Sequence, residues 1–320
     1  MYHALFAALA LMAGAAIAQD APRLGLPADC TLGATCFIQQ YPDTDPGPRA
    51  QDFMCEALSY DGHKGTDFAL PSRAAIDAGV TVIAAAPGTV RGVRDGMTDR
   101  LYSADMKDAL DGRDCGNGAV IDHGAGWETQ YCHLAEGSLT VKTGDVVDRG
   151  TPLGRIGLSG RTQFPHVHLS LRKDGAPVDP FRPEGGCSKS AAATLWLDTP
   201  DYQPGGLLAA GLSIDVPSFD SVKAGDAAMD AMGADAPSLV VWGYGFGARE
   251  GDIIQLAITA PDGAQIFGHD VLITKAQAQY FRAGGKRARA PWPQGIYTAQ
   301  VILLRGGAVI DTANSDISVQ

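Results

Sequence analysis

Basic residues are scarce in this 320-residue chain. Lys and Arg number 25 against 36 Asp and Glu, which gives a formal net charge of −11. A nucleic-acid-binding surface needs a basic face, so this balance argues against a nucleic-acid partner. Beyond residue 18, the chain also lacks an apolar run of the roughly 20 residues that a transmembrane helix needs. We therefore expect neither nucleic-acid binding nor membrane insertion.

The first 18 residues predict export. Leu5–Ile17 is an unbroken run of apolar and small residues, and Ala16-Ile17-Ala18 has the A-x-A form of a cleavage site. The run is too short to cross a bilayer. We interpret residues 1–18 as a signal peptide, which predicts a periplasmic or extracellular protein.

The six cysteines fit an exported protein, because disulfides persist in oxidising compartments. Their spacings do not resemble the paired CxxC of zinc knuckles. An even number predicts up to three disulfides, with fifteen possible connectivities. The candidate pairs are Cys115 with Cys132 across a predicted hairpin, Cys30 with Cys36 around a small loop and, by elimination, Cys55 with Cys187.

Forty glycines and 19 prolines divide the chain into short β-type runs, which predicts a mainly β protein. Residues 19–60 carry little periodicity and are expected to be a disulfide-pinned segment. Residues 61–185 have short strands separated by glycine turns, and the Gly, Ser and Ala-rich residues 186–194 are typical of a linker. Residues 195–320 have strand runs that predict an antiparallel, Ig-like β-sandwich.

Five of the seven histidines fall between positions 63 and 168. His166 and His168 lie two apart in FPHVHLSLR, so on a strand their side chains share a face. In GHKGTD, the glycines disfavour a helix and leave His63 and Asp67 on a loop and the start of a strand. Two histidines and one carboxylate leave a fourth zinc position open, as in catalytic zinc sites.

The segment YCHL lies on the returning strand of the predicted hairpin. Tyr131 and His133 are two residues apart, so we expect their side chains to share a face. A histidine beside a metal but not bound to it is suited to general acid or base catalysis.

Four segments, GHKGTDFAL, GNGAVIDHGAGWETQYCHL, VKTGDVVDRGTPLGRIGLSGRT and FPHVHLSLR, occur in this order. Together they resemble the lysostaphin/LytM-type zinc metallopeptidases, metallopeptidase family 23, over roughly residues 61–181. The resemblance implies a compact antiparallel β catalytic domain, like the small barrel of the duplicated-hybrid-motif fold, with one Zn²⁺ per chain. The residue roles that it implies are zinc ligation by His63, Asp67 and His168, catalysis by His133 and His166, a structural role for His123, and substrate binding by Tyr131.

The resemblance further implies an endopeptidase that hydrolyses peptide cross-links or stems of bacterial peptidoglycan. Two alternatives stay open: a non-catalytic activator of a cell-wall amidase, and a general extracellular zinc protease. Activators of this kind typically lose metal ligands, whereas all five implied metal and catalytic residues are present here. The sequence indicates no protein partner for the C-terminal domain.

Two stretches depart from the family pattern. The insert Arg94–Asp114 is expected to add a wall to the substrate groove. Residues 19–60 have no counterpart, and two hypotheses remain for them. They form either a plain disulfide-pinned loop or a pro-segment across the groove, with Asp43 or Asp45 in the open zinc position.

Overall fold

The computed structural model describes residues 21–190 and 192–320. The predicted signal peptide, residues 1–18, lies outside the described residues. Within the described ranges, no helix is both long enough and apolar enough to cross a membrane.

The first part of the chain is built from short strands. Three 3-10 helices interrupt them, at Ala74–Ala78, Ala104–Met106 and Asp108–Leu110. The strands are β1 (Phe37–Gln40), β2 (Thr66–Ala69), β3 (Thr81–Ile83), β4 (Gly88–Arg94), β5 (Asn117–Gly124), β6 (Trp127–Leu134), β7 (Val146–Val147), β8 (Pro152–Arg155), β9 (His166–Lys173) and β10 (Ala176–Val178).

These strands form one large antiparallel sheet in the order β1-β2-β9-β6-β5-β4-β7, with β10 paired to β9. Strands β3 and β8 form a separate pair. The mainly β prediction is confirmed, but the sheet does not close into the small barrel that the resemblance implied. Its edge strands β1 and β7 have four and two residues and do not pair with each other within the described ranges.

The central strands of this sheet have two different faces. Directly opposed residues in neighbouring strands point to the same side. Phe68 and Val167 are such a pair, and both are wholly buried in the core. Asp67 and His168 are the next pair, so they point to the opposite side. The sheet therefore separates a hydrophobic core from a polar face.

The N-terminal segment is part of this architecture. Strand β1 pairs with β2 at the edge of the sheet. Leu24 forms a bridge to Trp196, and both side chains are completely buried in the same core. The predicted boundaries at residues 61, 186 and 195 stay predictions, although the segments on either side of them share contacts.

The second part of the chain forms two packed sheets, as the sandwich prediction requires. Its elements are β11 (Gly206–Ser213), α1 (Phe219–Ala224), β12 (Ala231–Met232), β13 (Ser238–Ala248), β14 (Ile253–Thr259), β15 (Gln265–Leu272), β16 (Gln277–Arg287), β17 (Gly295–Arg305) and β18 (Ala308–Val319). The sheets have the orders β11-β13-β16 and β12-β18-β17-β14-β15. Leu239 and Val241 of one sheet share a core with Ile254 and Val301 of the other.

All six cysteines are paired. The structure joins Cys30 to Cys36, Cys55 to Cys187 and Cys115 to Cys132, which are the three expected pairings. The second pair ties the N-terminal segment to the residues beyond β10, across a sequence separation of 132.

Loss of the long-range disulfide should destabilise the protein most. By the chain-entropy argument, Cys55→Ser/Cys187→Ser lowers the free energy of unfolding by about 5 kcal/mol, because a long loop of the unfolded chain is released. The matched control Cys30→Ser/Cys36→Ser opens a separation of only 6 residues and should cost about 2 kcal/mol. Urea unfolding of the oxidised proteins measures both values. Equal losses would contradict the entropic explanation.

Candidate metal and catalytic site

Three potential metal ligands converge on the polar face of the sheet. His63 and Asp67 lie on the loop before β2 and on β2 itself, and His168 lies opposite Asp67 on β9. Asp67 Oδ1 is 2.7 Å from His168 Nδ1 and 3.2 Å from His63 Nε2, and the two nitrogens are 3.1 Å apart. This is the set that the sequence predicts as zinc ligands.

The outer hydrogen bonds of these histidines suit a metal. His63 Nδ1 lies 2.7 Å from the carbonyl oxygen of Tyr41 and donates its proton there, which leaves Nε2 with a lone pair. His168 Nε2 is 2.9 Å from Ser170 Oγ, and its Nδ1 faces Asp67. Two ring nitrogens and a carboxylate oxygen therefore point at one another, an arrangement that suits a divalent cation.

Two further histidines complete the cluster. His166 donates from Nδ1 to the carbonyl oxygen of Phe164 at 3.0 Å, and its Nε2 lies 3.5 Å from Asp67 Oδ1. His133 donates from Nδ1 to the carbonyl oxygen of Ser159 at 2.8 Å. The rings of His133 and His166 have centroids 4.6 Å apart. Each ring thus keeps Nε2 free of backbone partners.

A β-bulge presents His133 to this cluster. Between the pairs Asn117–Leu134 and Ala119–Tyr131, strand β5 has only Gly118 where β6 has both Cys132 and His133. Two residues opposite one mark a bulge, which re-aims the following side chain. His133 accordingly has a positive φ of 65°, and its N–H donates to the carbonyl oxygen of Cys115.

The bulge overturns the prediction that Tyr131 binds substrate. Tyr131 and His133 do not share a face, because the extra residue breaks the alternation of the strand. The side chain of Tyr131 is completely buried in the core. Its hydroxyl accepts from the N–H of Ala85 at 2.7 Å and lies 3.2 Å from Thr129 Oγ1. Tyr131 is therefore structural, and His123 joins the same network through Thr129 at 2.8 Å.

A different tyrosine lies at the site and was missed. Tyr60 stacks on the ring of His63 with centroids 4.4 Å apart, and half of its surface is exposed. Burial of its hydroxyl, with the charge of Asp67 nearby, raises the pKa of Tyr60, which stays a neutral hydroxyl donor. The sequence signal for Tyr60 was its position three residues before His63. Tyr60 itself belongs to no motif, so the sequence did not mark it as a site residue.

Asp43 and Asp45 do not enter the metal-ligand cluster within the described ranges. Asp43 accepts from the N–H groups of Asp45, Gln51 and Gly62. Asp45 accepts from the N–H of Gly47. Asp43 therefore stabilises the loop that carries His63, and neither aspartate joins the three candidate metal ligands.

Burial and neighbouring charges set the protonation of the site. Burial lowers the pKa of His133 well below that of a free imidazole, and His166 and His168 lower it further. Burial raises the pKa of Asp67, but the imidazoles of His63 and His166 outweigh this effect and hold it well below the usual carboxyl range. The cluster thus holds a neutral His133 and an ionised Asp67 at neutral pH.

Known proteins match the part of the chain that carries this site. Residues 61–180 match Peptidase family M23. The peptidoglycan DD-endopeptidase ShyA of Vibrio cholerae is 33% identical over 120 residues, which span 38% of this chain and 22% of that protein. The DD-carboxypeptidase/endopeptidase Mpg of Neisseria meningitidis is 33% identical over 125 residues, 37% of this chain and 22% of Mpg.

A solved structure of a zinc-containing peptidase from Vibrio cholerae aligns with 26% identity and a TM-score of 0.29. That alignment covers 44% of this chain and 38% of the other. The chain thus spans about a fifth of the length of the curated relatives that it matches.

The bulge requires glycine at position 118. A Cβ there would lie 2.1 Å from the carbonyl oxygen of Tyr131, so Gly118→Ala must displace β6. We expect it to lower the free energy of unfolding by about 1–3 kcal/mol and to shift the ring resonances of His133 in NMR spectra. In the control Gly92→Ala, the added Cβ meets nothing within 4 Å, so both properties should stay close to those of the parent. Unchanged His133 resonances in Gly118→Ala would contradict the role of the bulge.

Proposed function

We propose that the chain is an exported zinc endopeptidase that hydrolyses peptides of bacterial peptidoglycan, because its residues 61–180 match Peptidase family M23. The observation that carries this proposal is the convergence of His63, Asp67 and His168 beside two further imidazoles. The substrate class comes from the relatives, whose names describe peptidoglycan DD-endopeptidases and a DD-carboxypeptidase/endopeptidase.

The three ligands would hold one zinc ion. A zinc ion in this position supplies Lewis acidity, which polarises the scissile carbonyl and makes water acidic near neutral pH. Asp67 is the ionised member of the set, and its charge offsets part of the charge of the metal. The outward bonds of His63 and His168 to Tyr41 and Ser170 hold both rings in the orientation that ligation needs.

The two remaining histidines would move the protons. With Nδ1 of His133 bonded to Ser159, its Nε2 accepts a proton, and its lowered pKa keeps the ring neutral for that step. His166 is oriented in the same way through Phe164. The ring that has taken the proton at Nε2 then donates a hydrogen bond to the developing oxyanion and returns the proton to the leaving amine. Tyr60 adds a neutral hydroxyl at the exposed side of the site.

The disulfides support export. Three disulfides in one chain are typical of oxidising compartments and rare in the cytosol. The predicted signal peptide points in the same direction. We therefore place the enzyme in the periplasm or outside the cell, where peptidoglycan is accessible.

Nothing in residues 21–190 and 192–320 favours the amidase-activator alternative. An activator needs neither a complete ligand set nor two oriented histidines, and both are retained here. A general zinc protease would use the same site, so only the substrate separates it from the proposal.

Metal content tests the ligand assignment. The purified chain should contain one equivalent of zinc by atomic emission, and His168→Ala should lose most of it, because the site retains only two ligands. The control His269→Ala changes a histidine on β15 of the other domain and should retain the full equivalent. Full zinc in His168→Ala would reject the assignment.

Digestion of purified sacculi tests the reaction. The wild-type protein should release muropeptides with new amino termini. We expect His133→Asn to keep its zinc but to lose about 10²–10⁴-fold in rate, the usual contribution of a general acid or base. Intact sacculi beside digested casein would replace the cell-wall assignment with a general protease. Intact sacculi and no hydrolysis, with a stimulated amidase, would establish the activator.

A further inference from the structure

The insert Arg94–Asp114 is fixed against the catalytic site. Asp99 accepts from the N–H of Leu158 at 2.5 Å and from the N–H of Glu136 at 2.8 Å. The N–H of Tyr102 donates to the carbonyl oxygen of Thr162 at 2.8 Å. The insert therefore runs alongside residues 158–162.

Residues 158–162 border the catalytic histidines directly. Ser159 accepts the hydrogen bond from His133, and Thr162 Oγ1 lies 3.2 Å from Nδ1 of His166. Arg161 lies between these two contacts in the chain, and its side chain is exposed. Its N–H donates to the carbonyl oxygen of Asp114 at 2.8 Å, which joins it to the end of the insert.

The guanidinium of Arg161 is oriented but has no anionic partner. It lies over the ring of Tyr102, 5.3 Å from the centroid, in a cation–π contact. No carboxylate in residues 21–190 and 192–320 lies within the 4.0 Å of an ion pair with it.

The insert also lines a partly open cavity of about 390 Å³. Its apolar lining includes Met97, Met106 and Leu110, and its cationic lining is Arg100 and Arg113. Gly160, which precedes Arg161, forms part of the same lining. The cavity is thus continuous with the stretch that orients the histidines, and it combines apolar walls with positive charge.

The net charge of the protein is −11, so the grouping of Arg100 and Arg113 around one cavity, with Arg161 next to its Gly160, indicates a specific binding role. An acidic protein repels an anionic peptide in general, so such a substrate needs a local cationic contact. Guanidinium groups match carboxylates in geometry and bind them in a bidentate way. Stem peptides of peptidoglycan carry free carboxylates close to their cross-links.

We propose that the insert and residues 158–162 form a carboxylate subsite, in which Arg161 binds a free carboxylate of the peptide and the adjoining cavity receives the neighbouring side chain. This inference rests on the proposed function for the identity of the peptide. Arg161 is then a specificity-determining residue, and Tyr102 positions its guanidinium.

The test compares two substrates: a cross-linked stem dimer isolated from sacculi, and the same dimer with its free carboxylates amidated. The wild-type protein should prefer the acidic dimer by at least about tenfold in kcat/KM, roughly 1.4 kcal/mol. Arg161→Gln should bring this ratio close to one, mainly by raising KM for the acidic dimer. Arg161→Lys should retain part of the preference, since it keeps the charge but not the bidentate geometry.

Arg155→Gln is the matched control. Arg155 is an exposed arginine on β8, in the separate two-stranded pair, and its substitution should preserve the wild-type ratio. Thermal unfolding confirms that all variants are folded. An unchanged ratio in Arg161→Gln, or an equal rise in KM for both dimers, would overturn the proposal.

A binding measurement separates this proposal from the proposed function. Calorimetry with the two dimers, in the His133→Asn background to suppress turnover, should show at least tenfold tighter binding of the acidic dimer, and Arg161→Gln should abolish the difference. Absence of hydrolysis by the wild-type protein would reject the enzyme but not the subsite. Equal binding of both dimers would reject the subsite but not the enzyme.

Discussion

The pairing register between β2 and β9 is the constraint on which the site depends. Asp67 lies directly opposite His168, so both side chains leave the sheet on the same side. If β2 slipped by one residue against β9, Asp67 would turn into the core and Phe68 out of it, because successive side chains on a strand alternate. A slip of β9 would do the same to His168 and Val167, so burial of Phe68 and Val167 opposes either slip. The hydrophobic core thus fixes the position of the ligands.

This coupling explains why the ligands were predictable from sequence. In FPHVHLSLR, one alternating pattern predicts the strand, the core position of Val167 and the opposite-facing position of His168. The mainly β fold, the sandwich and the two short-range disulfides followed from similarly local signals, whereas the pair Cys55–Cys187 followed only by elimination. The position of Tyr131 did not, because the bulge at His133 depends on a partner strand that has only Gly118 there. Tyr60 was missed because its contact with His63 depends on the path of a loop without periodicity.

The N-terminal segment also gains a role that its composition did not indicate. The carbonyl oxygen of Tyr41, the residue after β1, fixes the ring of His63, and Asp43 holds the loop that carries this histidine. Strand β1 is held in turn by β2 and, through Gln39 Nε2, by the carbonyl oxygen of Ala278 in the second domain at 2.8 Å. The orientation of His63, a proposed zinc ligand, therefore depends on a segment outside the stretch that matches the family.

The same contacts link metal binding to folding. Ring nitrogens of His63 and His168 lie against the ionised Asp67 in a buried site, where a bound cation would offset the buried negative charge. The outward bonds to Tyr41 and Ser170 keep the rings from turning away. The free energy of folding thus holds these side chains in place before a metal binds. Metal binding to the folded state would return that free energy as stability, so a change that loosens β1 would weaken the proposed metal site as well as the sheet edge.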